Sequence, residues 1–142
     1  MKRMASLLIL TFVVLLGGCQ EEETMVLLDE KIDKIEVAKS KGAGEVNVDE
    51  ILLTFTDRKS VRTIEEAITS AVKKEANVPE RAPDFDILVH YEKDLPTHAI
   101  HIWLGPENEE SILTYMVGGG EAYVAPKKMT NELRKLFLQT GE

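Results

Sequence analysis

Phe85-Asp86-Ile87-Leu88-Val89-His90-Tyr91 and His98-Ala99-Ile100-His101-Ile102-Trp103-Leu104 are the stretch on which the fold turns. Apolar side chains alternate at Phe85, Ile87, Val89 and Tyr91, and again at Ile100, Ile102 and Leu104 after His98, the period of strands with one buried face. Between them, Glu92-Lys93-Asp94-Leu95-Pro96 is a turn by composition. With Glu92 opposite Thr97, Phe85 faces Leu104, Ile87 faces Ile102 and Val89 faces Ile100. Each apolar residue then meets an apolar partner, which is what specifies register.

Working outward, Ile32, Ile35 and Val37 suggest an earlier strand that ends at Lys39-Ser40-Lys41-Gly42-Ala43-Gly44, and Ile51, Leu53 and Phe55 a second. Asp57 stands where a helix N-cap belongs, and Val61, Ile64, Ile68, Ala71 and Val72 follow at helical spacing, with Lys73 and Lys74 in the expected last turn. Asn77 to Pro83 reads as a linker with two prolines. Downstream, Gly105 to Glu110 turns into a strand from Ile112 to Val117, and Gly118-Gly119-Gly120 turns into another from Glu121 to Val124. Met129, Leu133, Leu136 and Phe137 make one stripe of a closing helix, capped by Thr130 or by a residue near Pro126. The expectation is a two-layer α+β fold: a mainly antiparallel, meandering sheet with two helices packed on one face.

The N-terminus carries a different message. Lys2 and Arg3 precede an uncharged run from Ala5 to Gly18, 14 residues long, which is short of the roughly 20 that a spanning helix needs. Small residues at its exit complete a signal-peptide pattern over residues 1–18. Leu16-Gly17-Gly18-Cys19 looks like a lipobox, and Cys19 is the chain's only cysteine, so a diacylglyceryl group on its thiol is the expected anchor. Residues 19–29 then read as the lipidated cysteine and a short acidic tether, of which residues 20–24 can be lost at little cost in stability, and residues 30–142 as a single α+β domain. Without residues 1–18 the chain keeps 15 basic and 25 acidic side chains, a formal charge of −10. Such a surface disfavours nucleic acid and anionic lipid, so attachment to a membrane has to be covalent.

From about Lys34 to Leu138 the sequence resembles the YhfM-like domain of small lipoproteins from Bacillus-type bacteria. The resemblance is carried by Ser40-Lys41-Gly42-Ala43-Gly44, Thr54-Phe55-Thr56-Asp57, Pro83-Asp84-Phe85-Asp86 and His101-Ile102-Trp103-Leu104-Gly105. It implies a lipoprotein of a single-membrane, Gram-positive host. It transfers no catalytic residue and no cofactor.

The residues themselves offer little chemistry. In the register above, His90 and His101 are diagonal neighbours beside Asp86, a set able to bind zinc, but the close spacings of zinc sites are lacking, and the reading is half-exposed strand histidines with no metal. The Lys41-Gly42-Ala43-Gly44 loop lacks the context of a phosphate loop, and Glu107-Asn108-Glu109-Glu110 lacks the alternation of a calcium loop. No serine stands in a nucleophile elbow, and no paired carboxylates suggest hydrolysis. The expectation is therefore a non-enzymatic, lipid-anchored domain on the extracytoplasmic face of the cell membrane, binding an envelope protein, peptide or wall component. The alternative is a small envelope enzyme or metal-binding protein whose site is too ordinary to recognise.

One surface stands out. Extending the hairpin register pairs Trp103 with Leu113, His101 with Tyr115 and Tyr115 with Tyr123. The face away from the helices then gathers His90, His101, Trp103, Tyr115 and Tyr123, with Leu88 and Leu113, richer in aromatic residues than a solvated face requires. Either that face is a binding surface, or a loop such as Asn77–Pro83, or the N-terminal strand, covers it as a second small core.

Overall fold

Alternation in the central hairpin and in its neighbours builds one sheet. In the computed structural model, which describes residue 18 and residues 21–118 and 120–138, the elements in chain order are β1 (Ile32–Lys39), β2 (Ile51–Phe55), α1 (Arg58–Thr69), β3 (Val72–Lys73), β4 (Phe85–Tyr91), β5 (His98–Trp103), β6 (Ser111–Tyr115), β7 (Tyr123–Ala125) and α2 (Lys127–Leu138). The strands form a seven-stranded sheet in the order β2-β1-β4-β5-β6-β7-β3, antiparallel throughout. The class is α+β, with two helices among the described residues. Residues 1–17 of the expected signal segment, and Cys19, lie outside the described residues.

Asp57 caps α1 as its position suggests, its carboxylate accepting from the Ser60 N–H at 2.9 Å. The helix is shorter than its apolar spacing implies. It ends at Thr69, and Val72 and Lys73 instead pair with Val124 and Tyr123 as β3, a strand absent from the sequence reading. Two residues are too few for periodicity to register, and Val72 fits a helical stripe as well as a strand. Ile64, Ala67 and Ile68 of α1 and Met129, Leu133 and Phe137 of α2 join one core with Ile35, Val37, Ile87, Val89, Ile100, Ile102 and Leu113 of the sheet. Burying each large aliphatic side chain contributes about 1.5–3 kcal/mol, and this cluster is the main source of stability.

Register differs from expectation three times, with unequal consequences; between β6 and β7 Tyr123 lies opposite Leu113 rather than Tyr115, a displacement of two residues. In the β4–β5 hairpin, Phe85 pairs with Ile102, Ile87 with Ile100 and Val89 with His98, displaced by two residues. Lys93 and Asp94 take positive φ in the turn, and a two-residue displacement keeps every side chain on its face. Between β5 and β6 the displacement is one residue: Tyr115 lies opposite Ile100, Leu113 opposite Ile102 and Ile112 opposite Trp103. That turns Leu113 and Tyr115 to the core side. Ile112-Leu113-Thr114-Tyr115 has apolar residues on both parities, so the turn sets the register rather than the strand pattern. Gly105 holds this turn close, because a Cβ there would sit 2.2 Å from the Glu110 carbonyl oxygen.

The tether expected over residues 19–29 is docked over much of its length. Thr24 bridges Val72, the Lys73 N–H donates to the Glu23 carbonyl at 2.7 Å, and the Met25 N–H donates to the Ala71 carbonyl at 3.0 Å. Met25 is buried in the core. Further on, the Val26 and Leu28 N–H groups donate to the Tyr115 and Tyr91 hydroxyls at 2.6 and 3.2 Å. Charge composition concealed this, because the apolar anchor is a single methionine beside Glu21-Glu22-Glu23. Met25→Ala is expected to cost about 2–5 kcal/mol, whereas deleting residues 20–22 should change stability by no more than about 0.5 kcal/mol. Thermal melts of the two variants check this contrast.

Candidate functional site

The face away from the main core is buried at its centre by polar contacts. Asp86 and His101 are cross-strand partners on β4 and β5, both almost wholly buried. His101 Nε2 lies 3.0 Å from the Gly44 N–H and accepts from it. The ring proton is therefore assigned to Nδ1, which donates to Asp86 Oδ1 at 2.7 Å. Asp86 Oδ2 accepts from the Asn47 N–H at 3.3 Å. Asn47, itself buried, donates through Nδ2 to the Lys39 carbonyl and accepts through Oδ1 from the Asp49 and Glu50 N–H groups. The β1–β2 connection is thus drawn down over the sheet.

Trp103 completes the cover. Its indole N–H donates to the Arg81 carbonyl at 2.9 Å, its ring meets that of His101 edge-on, and it is 4% exposed. The Asn77–Pro83 segment therefore lies against this face, joined by the Gly-rich loop, which no sequence pattern places there. Of the five residues expected on one aromatic surface, His90, His101 and Trp103 share this face, while Tyr115 and Tyr123 lie on the other. The two tyrosines stack edge-on at 5.4 Å on the core side. The open patch joining Trp103 to Tyr115 does not exist, because a single-residue change of register separates them.

The histidines are separated as well. His101 sits opposite Asp86, four positions along β4 from His90, or about 13 Å at strand rise. His90 bonds Thr97 Oγ1 through Nδ1 at 3.2 Å. Its Nε2 is 3.2 Å from a Glu36 carboxylate oxygen, within ion-pair reach but out of line for a hydrogen bond. Among the described residues no three His, Cys, Asp or Glu side chains gather as a metal would need. An Asp–His couple can serve as a general base only when the outer ring nitrogen faces a reactant. Here Gly44 caps that nitrogen, so the couple acts as a latch.

An open cleft of about 440 Å³ lies where the Phe85 end of β4 meets the C-terminal end of α2. Leu52, Phe85, Leu104 and Leu138 supply its apolar wall, and Phe85 packs edge-on against Phe137 of the core at 5.5 Å. Lys39, Arg81, Asp84 and Arg134 supply the polar rim. Asp84 takes both ends of the Arg81 guanidinium, at 2.7 and 3.3 Å, and also accepts from the Leu104 N–H at 2.8 Å. Arg134 donates to the Gly105 carbonyl at 3.1 Å. Sequence reading missed this site because its residues come from four elements and from the chain beside β4 and β5, and the family segments that hold Asp84, Phe85 and Leu104 carry no chemical mechanism.

This arrangement defines an α+β domain with a latched second face and an amphipathic cleft at the Phe85 end of the sheet. The chain belongs to the YhfM protein family, which matches residues 28–140. No curated protein matches it. Among solved structures it is similar to a thioesterase-like protein from Clostridium sporogenes, at 18% identity and a TM-score of 0.51, over 77% of this chain and 96% of that one. At that identity the likeness concerns the fold alone.

Two expected outcomes follow from this geometry. Asp86→Ala strands the His101 and Asn47 donors and should cost about 3–5 kcal/mol, whereas His101→Asn keeps a donor and should cost less; urea melts rank them. His98, whose Nδ1 meets the Tyr91 hydroxyl at 2.8 Å, has its pKa lowered by burial. The unfolded chain therefore takes up this proton first, and the contribution to stability is lost as pH falls from about 6.5 through the folded-state pKa. Removing His98 as His98→Gln should flatten the stability profile between about pH 7 and 5, read by melting temperature across that range.

Proposed function

We propose that the chain is a lipoprotein precursor whose mature domain is held by a diacylglyceryl group on Cys19 at the extracytoplasmic face of the cell membrane, where it acts as a binding module. The supporting observation is positional. The chain's only cysteine follows a basic, then uncharged, leader and stands four residues ahead of Glu23, where the folded body begins. Four extended residues span about 14 Å, so an anchor at Cys19 keeps the β3 edge of the sheet near the lipid headgroups. Within this reading the body is two-layered, with both helices on one face. The single core cluster shared by the two helices and the core-side strand positions supports that arrangement.

A non-enzymatic role is the better reading because the one Asp–His couple has its outer nitrogen occupied by a backbone donor. A small envelope enzyme is the second reading, favoured by that same couple if the Gly44 loop lifts. The two differ in what His101→Asn does: a binding module keeps its function so long as it folds, and an enzyme loses turnover. An envelope protein, peptide or wall component is the partner class in the first reading.

Metabolic labelling with a palmitate analogue tests the anchor. The expected result is full loss of label in Cys19→Ser, because no second thiol exists to accept the lipid. Label retained on that variant would remove the anchor assignment.

A further inference from the structure

We infer that the cleft at the Phe85 end of the sheet is a binding site for a free fatty carboxylate, a single apolar chain bearing one anionic head. Leu52 and Leu138 are 53% and 51% exposed, and both line this one cleft. Isolated exposed leucines are ordinary on a protein surface; a pair flanking a continuous apolar wall is not. The wall is firm, since Leu104 is buried and Phe85 is braced on Phe137. The volume of about 440 Å³ falls within the usual size of small-molecule sites.

Charge selects the head group. The rim holds three cations, Lys39, Arg81 and Arg134, against one carboxylate, Asp84. Asp84 is taken up by Arg81, and among the described residues neither Lys39 nor Arg134 is in an ion pair. A local excess of positive charge on a chain of formal charge −8 is selective for an anion. Arg134 is already fixed through one nitrogen on the Gly105 carbonyl, which leaves the rest of its guanidinium fork for a carboxylate.

Position selects the source. The segment that leads to Cys19 docks along the β3 edge through Glu23, Thr24 and Met25, and the cleft draws on β4 and β2, the nearer of which is four strand spacings, or about 19 Å, from that edge. If Cys19 is the anchor, the cleft points away from the bilayer and takes its ligand from solution. The site thus deepens the binding-module reading and rests on anchoring only for this last point.

The test uses membranes from cells expressing the whole chain and a dodecanoate carrying a diazirine and an alkyne. Photolabel should map to cleft-lining peptides and be displaced by decanoate, but not by decanol or decyltrimethylammonium at equal concentration. Arg134→Gln and Leu52→Asp should each lower labelling about tenfold, the scale of one charge-assisted contact or of one apolar wall residue lost. Leu52 is an exposed side chain and carries the decision if Arg134→Gln disturbs the fold, which Trp103 emission monitors in detergent extracts. Unchanged labelling in Leu52→Asp, equal displacement by decanol, or label mapping elsewhere would overturn the site. Displacement by added phosphatidylglycerol vesicles as strong as by decanoate would overturn the free source, and chain-to-chain crosslinks through the cleft would assign it to a second copy. Cys19→Ser separates the two readings: it removes anchoring and should leave decanoate-sensitive labelling intact.

Discussion

Asp86 is the residue on which two otherwise unrelated parts of the molecule depend. A carboxylate with no exposed surface is costly unless its oxygens are satisfied, and here each is met by a donor from a different segment. One donor, the His101 ring, lies directly across the hairpin; the other, the Asn47 N–H, comes from the β1–β2 connection. His101 in turn accepts from Gly44 of that connection. The loop from Ser40 to Glu50 therefore has a defined path over the sheet although it contains no regular structure. Asn47 carries the constraint onward by bonding the Lys39 carbonyl and the Asp49 and Glu50 amides, just where β1 ends and β2 begins. The bulge between Val37 and Ala38 falls beside this point, where β1 adjusts to keep its pairing with β2.

The elements were legible wherever a face alternates over several residues. β1, β2, β4 and β5 could be read from Ile35, Val37, Leu53, Phe55 and the central hairpin, and α1 from its Asp57 cap and apolar stripe. What could not be read depends on contacts between segments distant in sequence. Two-residue β3 exists because Val124 and Thr24 offer it partners. The β5–β6 register is set by a loop in which Gly105 passes the Glu110 carbonyl and its N–H donates to Ser111 Oγ at 3.0 Å. One residue of register decided the fate of the aromatic surface, since it sends Tyr115 to the core and leaves Trp103 behind. The polarity of Asp86 and His101 pointed outward by ordinary rules; burial by a polar loop reverses that reading.

The same comparison explains the sites. The latch residues were visible singly, as an aspartate, two histidines and a glycine-rich loop, but the expected register placed Trp103 rather than His101 opposite Asp86. No pattern within 40-50 could say that its amides would find that carboxylate. The cleft was invisible for another reason. Its apolar wall takes one residue each from β2, β4, the chain just beyond β5, and α2, and a leucine at the end of an amphipathic helix is an ordinary residue in sequence. The packing of Phe137 on Phe55 and Phe85 sets the end of α2 against the sheet, where Leu138 and Leu52 line one opening.

The two edges of the sheet are finished differently, and that asymmetry bears on how the domain is used. At the β3 edge, Thr24 adds a bridge outside Val72, and Lys73 is held between Glu23 and Glu121, at 3.3 and 2.9 Å. Both carboxylates hold the lysine pKa above its ordinary value, Glu121 foremost, so the pair secures the N-terminal segment with the lysine charged. This edge is short and capped, which blocks further strand addition. At the other edge β2 presents five residues, paired on one side only, with Leu52 half exposed. An edge of that kind invites pairing with other chains unless something occupies or shields it. The basic residues around the adjoining cleft act in that direction, because Lys39 and Arg134 at the opening repel a second copy's equivalent surface. A ligand whose anionic head meets those cations would cover Leu52 and Leu138 together, so that occupancy of the cleft and protection of the open edge become one event.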